Sequence, residues 1–136
     1  MNKKDLFNVA KDSMKNSYAP YSNYNVGAAL LCKSGNVYKG CNLENASYSL
    51  TNCAERTALF SAIANGEKEF EAICVVGGKS GVVTDYATPC GACRQALAEF
   101  CNDDFKVYVG INEDNIKEYT LSELLPYSFN KSKLGE

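Results

Sequence analysis

The sequence predicts an α/β fold, a three-layer α/β/α sandwich around a mixed five-stranded sheet, in one domain over residues 1–136. Three observations carry this. Segments with helical spacing alternate with short β-rich runs in the order αββαβαββα, which places helices on both faces of a sheet. The run AICVVGG, Ala72–Gly78, is continuously apolar, as in a strand covered on both sides. The runs KVYVGI and IKEYT are joined only through Asn112–Asn115, too short a link for a parallel crossover, so the last two strands are antiparallel.

Each element follows in order. Leu6, Val9, Ala10, Met14 and Ser17 recur at helical spacing and predict a first amphipathic helix that stops before Pro20. NVGAALLCKSGNVYKGCN reads as a hairpin turning through Ser34, Gly35 and Asn36, where glycine permits the turn. A second helix is expected from about Cys53 to Asn65, with Leu59 and Ile63 on one face and Gly66 as its stop. A third is expected from about Gly91 to Cys101, directing Ala96, Leu97 and Phe100 inward. Thr120 and Glu123 have the spacing of a capping box, which starts a short terminal helix in LSELL.

Composition narrows the function classes. The chain of 136 residues supports one hydrophobic core and is too short for two ordinary domains. No apolar run approaches the length needed to cross a bilayer. MNKKDLFNVAKDSMK lacks the continuous apolar stretch of a secretion signal, so the expected location is the cytoplasm, with no membrane partner. A net charge of −2 without a Lys/Arg cluster disfavours nucleic acid, whose phosphates require concentrated positive charge; a small molecule is the expected partner. In a reducing compartment the seven cysteines read as thiols rather than disulfides. Cys32, Cys41, Cys74 and Cys101 lie in apolar or strand-like stretches and read as small buried hydrophobes.

The other three fall in TNCAER, Thr51–Arg56, and TPCGACRQ, Thr88–Gln95, and no histidine exists in the chain. Cys53 sits where the second helix begins, and Cys90 and Cys93 where the third begins. Helix starts carry free N–H groups and partial positive charge, which favour thiolate over thiol. Three such sulfurs leave one tetrahedral position of a zinc ion open for water. Taken singly, C-x-x-C also suits a thioredoxin-like redox centre, and Glu55 also suits a solvated carboxylate in a helix's first turn. A structural zinc would want a fourth protein ligand, and the remaining cysteines form no second C-x-x-C pair. With no imidazole available, a carboxylate is the group to move protons at such a metal.

These stretches resemble the zinc-dependent cytidine deaminases, specifically the small homotetrameric form with three cysteine ligands. YAPYSNYNVGAALL, GCNLENASYSLTNCAERTALF, PCGACRQ and ELLPYSF occur in family order and spacing, over nearly the whole chain. The general motif is a worked case of zinc deaminase chemistry, a His- or Cys-led x-E with a later P-C-x-x-C. The resemblance implies that Cys53, Cys90 and Cys93 hold one zinc ion per chain. It implies that Glu55 takes a proton from the metal's water and protonates N3 of the pyrimidine as C4 is attacked, turning cytidine and deoxycytidine into their uracil counterparts with release of ammonia. Arg56 matches the arginine that donates to the ligating sulfurs, offsetting the excess negative charge of three thiolates on one divalent ion. Asn42 and Glu44 match the ribose-binding pair, and the backbone around Ala54 and Cys90 the part that reads the base. A carboxylate at the sugar repels phosphate, which favours a nucleoside over a nucleotide, RNA or DNA. Tyr24 stands where many members carry phenylalanine against the pyrimidine, so its hydroxyl needs a partner or solvent. Tyr48 and Phe129 match aromatic positions contributed to a neighbouring subunit's site. Two other readings stand beside this one. A deaminase of a nucleoside antibiotic such as blasticidin S would keep the zinc site and alter the sugar pocket. A noncatalytic, zinc-stabilised binding module would need neither Glu55 nor an open metal position.

Overall fold

Asn2 starts the first helix: its side-chain oxygen accepts the Asp5 amide at 2.9 Å, satisfying one of the amides a helix start leaves free. The computed structural model describes residues 1–135. Helix α1 (Lys3–Ser13) tightens into a 3₁₀ turn at Met14–Asn16, and Ser17 then turns extended. The helical spacing that continues to Ser17 in the sequence therefore ends early, and the Ser17 hydroxyl donates to Asn42 Oδ1 instead.

Five strands follow: β1 (Tyr24–Cys32), β2 (Val37–Cys41), β3 (Phe70–Lys79), β4 (Lys106–Asn112) and β5 (Asn115–Thr120). They form one sheet in the order β2-β1-β3-β4-β5, in which β3 and β4 are parallel and the other pairs antiparallel. The hairpin between β1 and β2 turns at Gly35, whose φ of 95° favours glycine. Helix α2 (Ala54–Ala64) runs from Cys53 to Asn65 at its caps. Helix α3 (Gly91–Phe100) follows Cys90, and the four-residue α4 (Leu121–Leu124) begins at a complete Thr120–Glu123 capping box.

Side chains alternate across the sheet, so each strand feeds two cores. Ala29, Leu31, Cys74 and Val76 pack with Leu6, Phe7 and Ala10 of α1. On the other face Ala28, Leu30, Val75 and Val107 pack with Ala58 and Leu59 of α2 and Leu97 of α3. Strand β3, the apolar run of the sequence, is thus covered on both sides. The α2 backbone comes so close to β2 that a Cβ on Gly40 would stand 2.3 Å from the Ala54 carbonyl oxygen.

Phe100 departs from its expected inward direction and is 44% exposed. Cys93 and Leu97, one turn apart, take the buried face of α3, and Cys101 continues it as the helix ends. Cys32 and Cys74 are buried and Cys41 and Cys101 half-buried, all as free thiols. Burial pushes Cys32 up to about 11 and Cys74 and Cys101 up to about 12, so these remain protonated packing groups. Among the described residues no helix is long and apolar enough to cross a membrane.

Candidate active site

Cys53 and Cys90 are the N-cap residues of α2 and α3, both extended in backbone, and neither uses its side chain to cap its helix. Their sulfurs are free to turn toward each other and stand 3.6 Å apart. Cys93 lies in the first turn of α3, and all three Sγ atoms lie within 4.8 Å of one another. The donors fit zinc: a tetrahedral ion with Zn–S bonds of about 2.3 Å spaces its sulfurs about 3.8 Å apart. Their charge fits as well, because three thiolates this close repel strongly unless a cation lies among them.

The cluster already favours ionisation at one end. A hydrogen bond from the Cys93 thiol pulls Cys53 down to about 5, with Arg56 and Cys90 assisting against the cost of burial. Cys93 is pushed up in turn, because its proton is held against the Cys53 sulfur. Arg56 Nη2 donates to Cys53 Sγ at 3.4 Å, and this thiolate partner holds the guanidinium more firmly protonated. Arg56 Nε is buried without a hydrogen-bond partner among the described residues.

Glu55 follows Cys53 into α2 and is only 4% exposed. Burial, joined by the nearby Cys53 charge, raises its carboxyl to about 7. A cleft of about 480 Å³ opens over Glu55, Cys53 and Cys90, with Ala54, Tyr24, Asn42 and Glu44 in its walls. Asn42 and Glu44 are held rather than loose. Asn42 Oδ1 accepts the Val26 amide at 2.9 Å, and its Nδ2 donates to the Tyr24 carbonyl at 2.7 Å. Glu44 accepts the Tyr21 and Ser22 amides at 2.9 and 3.1 Å and the Ser22 hydroxyl, so its carboxyl is held below the usual carboxylate range. Tyr24 is 39% exposed, and burial followed by the Asp85 and Glu55 charges raises its hydroxyl.

Tyr48 and Phe129 stand outside this cleft, 75% and 64% exposed. Tyr48 meets Tyr21 edge-on at 5.8 Å beside the mouth. The cleft also uses residues that sequence reasoning passed over: Thr51, Asn52, Tyr86 and Thr88. Thr51 and Thr88 sat inside the two cysteine stretches, two residues before Cys53 and Cys90, whereas nothing in the local sequence marked Tyr86.

Residues 1–111 match the family described as the cytidine and deoxycytidylate deaminase zinc-binding region. A cytidine deaminase of Halalkalibacterium halodurans is 48% identical over 136 residues, covering 100% of both chains. One of Sporosarcina psychrophila is 46% identical over 135 residues, 99% of this chain and 96% of that one. The crystal structure of cytidine deaminase from Burkholderia pseudomallei superposes with a TM-score of 0.86 at 45% identity, over 95% of this chain and all of the other. A blasticidin-S deaminase of Bacillus cereus is more distant, 30% identical over 132 residues, 94% of this chain and 92% of that one.

Proposed function

The chain belongs to the cytidine and deoxycytidylate deaminase family, and from that premise we infer that it hydrolyses cytidine and deoxycytidine to uridine and deoxyuridine with release of ammonia. One observation carries the reading: of three cysteine sulfurs lying within 4.8 Å of one another, those of Cys53 and Cys90 line a cleft with Glu55, the one buried carboxylate among the described residues. Its cofactor is zinc, for which Cys53, Cys90 and Cys93 supply the ligands. Bound zinc supplies the Lewis acidity that makes water nucleophilic at neutral pH.

The remaining steps belong to the chain's own residues. Glu55, buried in the cleft wall, takes the proton as water oxygen bonds to C4 and delivers it to N3. It then carries the proton of the new C4 hydroxyl to the departing amino group as the C4–N bond breaks and C4=O forms, so that water and cytidine become uridine and ammonia. Arg56, donating to Cys53 Sγ, offsets the surplus negative charge of three thiolates. The pinned Asn42 and Glu44 support a role at the sugar, because their fixed groups need no reordering when a nucleoside arrives. The Glu44 carboxylate opposes a phosphate there. Tyr24 supplies a ring for stacking on the base, and Ala54 the backbone beside it.

Residues 1–136 act as one deaminase domain in this reading, and the protein serves pyrimidine salvage in the cytoplasm. Its active form is a homotetramer in which Tyr48 and Phe129 reach neighbouring sites. The exposure of these two rings, together with Leu50 at 66% and Phe60 at 47%, supports burial against further copies. Ammonia release from cytidine, deoxycytidine, CMP, a cytosine oligonucleotide and blasticidin S tests the assignment. Turnover of the two nucleosides above the rest is expected, and preference for blasticidin S or the oligonucleotide overturns it.

A further inference from the structure

The side chain after Cys93 does not face solvent as a helix arginine ordinarily would. Arg94 Nε donates to the Pro89 carbonyl at 2.7 Å, and its Nη1 donates to the Leu124 carbonyl at 2.7 Å. Pro89 immediately precedes Cys90 and lies before the first turn of α3, so no amide of that helix reaches its carbonyl. Leu124 is the last residue of α4, where helix carbonyls also go unpaired. One guanidinium therefore satisfies two acceptors that have no other partner among the described residues, with two different nitrogens held in the fixed geometry of a planar fork. The far anchor is itself fixed. The Thr120–Glu123 capping box sets the start of α4, and Leu121 is buried in the core beneath it. On the next position of α3, Gln95 Nε2 donates to the Phe129 carbonyl at 2.7 Å, so two adjacent side chains hold the segment beyond α4 to the helix that carries Cys93.

We propose that Arg94 is a positioning residue for the metal centre, clamping the backbone that carries Cys90 to the end of α4 so that the Cys90 sulfur is preset at its ligating distance. Cys90 needs such a clamp more than its partners. Cys93 is buried within a helical turn and Cys53 is held by the Arg56 hydrogen bond, whereas Cys90 is exposed on the loop side of its helix. The inference rests on the reading of these three cysteines as the zinc ligands.

The test uses the zinc-loaded enzyme and two variants, Arg94→Met, which keeps the stem and removes both bonds, and Arg94→Gln, whose amide nitrogen takes the place of Nε and ends short of the Leu124 carbonyl. Zinc release to a chromogenic chelator is timed at 25 °C, and Tm is measured for the loaded and metal-stripped forms. The expected result is release faster by about tenfold in both variants, the scale on which groups supporting metal ligands act. The gap between loaded and stripped Tm should narrow with it. Equal losses of Tm in both forms with release at the parental rate would show a purely structural arginine and overturn the proposal. If Arg94→Met does not fold, Arg94→Gln alone decides: parental release in it overturns the clamp. A parental protein that holds no zinc instead refutes the ligand reading, a separate outcome seen before any variant is made.

Discussion

Cys53 and Cys90 are the N-cap residues of two different helices, yet their Sγ atoms stand 3.6 Å apart, close to the sulfur spacing of about 3.8 Å around a tetrahedral zinc ion. Metal analysis of the purified protein should find one zinc per chain, and Cys90→Ala should abolish it. With free zinc at about 1,000 times its dissociation constant, binding stabilises by about 4 kcal/mol. Stripping the parental protein with a chelator should therefore lower Tm by about 10 °C, while the same treatment should leave Cys90→Ala unchanged.

Glu55→Gln should keep its zinc and still bind nucleoside, because the amide matches the carboxyl in shape within the same buried wall. Turnover should fall by about 10²–10⁴-fold, the usual contribution of a positioned acid–base group. Steady-state kinetics beside zinc content decides this; near-parental kcat in the variant would place the proton carrier elsewhere.

Gly40→Ala should loosen the site from a distance. Its Cβ would stand 2.3 Å from the Ala54 carbonyl oxygen and 2.5 Å from the Ala58 amide nitrogen, so α2 has to move off the sheet and carry Cys53 and Glu55 with it. Overpacking of this kind costs about 1–3 kcal/mol. Chemical denaturation should show that loss, and kcat should fall in parallel; an unchanged midpoint would mean that helix and strand are not in the contact described.

Glu67 predicts a pH dependence of stability. Asn36, Ser34 and the Tyr38 hydroxyl all donate to it, at 2.8, 2.8 and 2.9 Å, and hold its carboxyl below the usual 4.5. The folded protein thus prefers the ionised form, so this contribution is complete above the ordinary carboxylate range and disappears as pH falls through the lowered folded value. Glu67→Gln should be less stable than the parent at neutral pH, and thermal melts across an acid series should show the two converging. A constant difference at every pH would rule out ionisation as the source.

Phe129→Ala and Glu55→Gln should each lower activity, and mixing the two under conditions of verified subunit exchange should restore part of it. Restoration requires that some sites combine one chain's Glu55 with another's Phe129. Exchange without recovery, or a fully active monomer in dilute solution, would count against shared sites.

Much of this architecture is legible locally. Cys53, Asn65 and Gly66 bracket α2 because a positive φ of 91° stops a helix most cheaply at glycine. The Thr120–Glu123 pair announces α4 for a similarly short-range reason. The C-x-x-C spacing places Cys90 and Cys93 on one side of a single helical turn, whereas joining Cys53 to them, from a different helix, rests on the family resemblance. What escapes is non-local. No pattern within β1 or β4 specifies that β3 lies between them, which the structure settles through pairings such as Ala28 with Val75 and Cys74 with Tyr108. Phe100 is misplaced by periodicity because a helix end leaves the next inward position to Cys101. The bonds that hold Asn42 and Glu44 come from backbone around Tyr21–Val26, about twenty residues away in the chain, and the carbonyls gripped by Arg94 carry no side-chain signature at all.

The placement of β3 also sets an order of events during synthesis. Cys53 leaves the ribosome before this strand and Cys90 only after it, 37 residues later. In the folded sheet β3 lies between β1 and β4, and the two helix starts meet across the chain that this strand separates. An ion shared by Cys53, Cys90 and Cys93 would therefore tie together parts of the chain that lie on either side of β3, so its removal is expected to weaken that long-range closure.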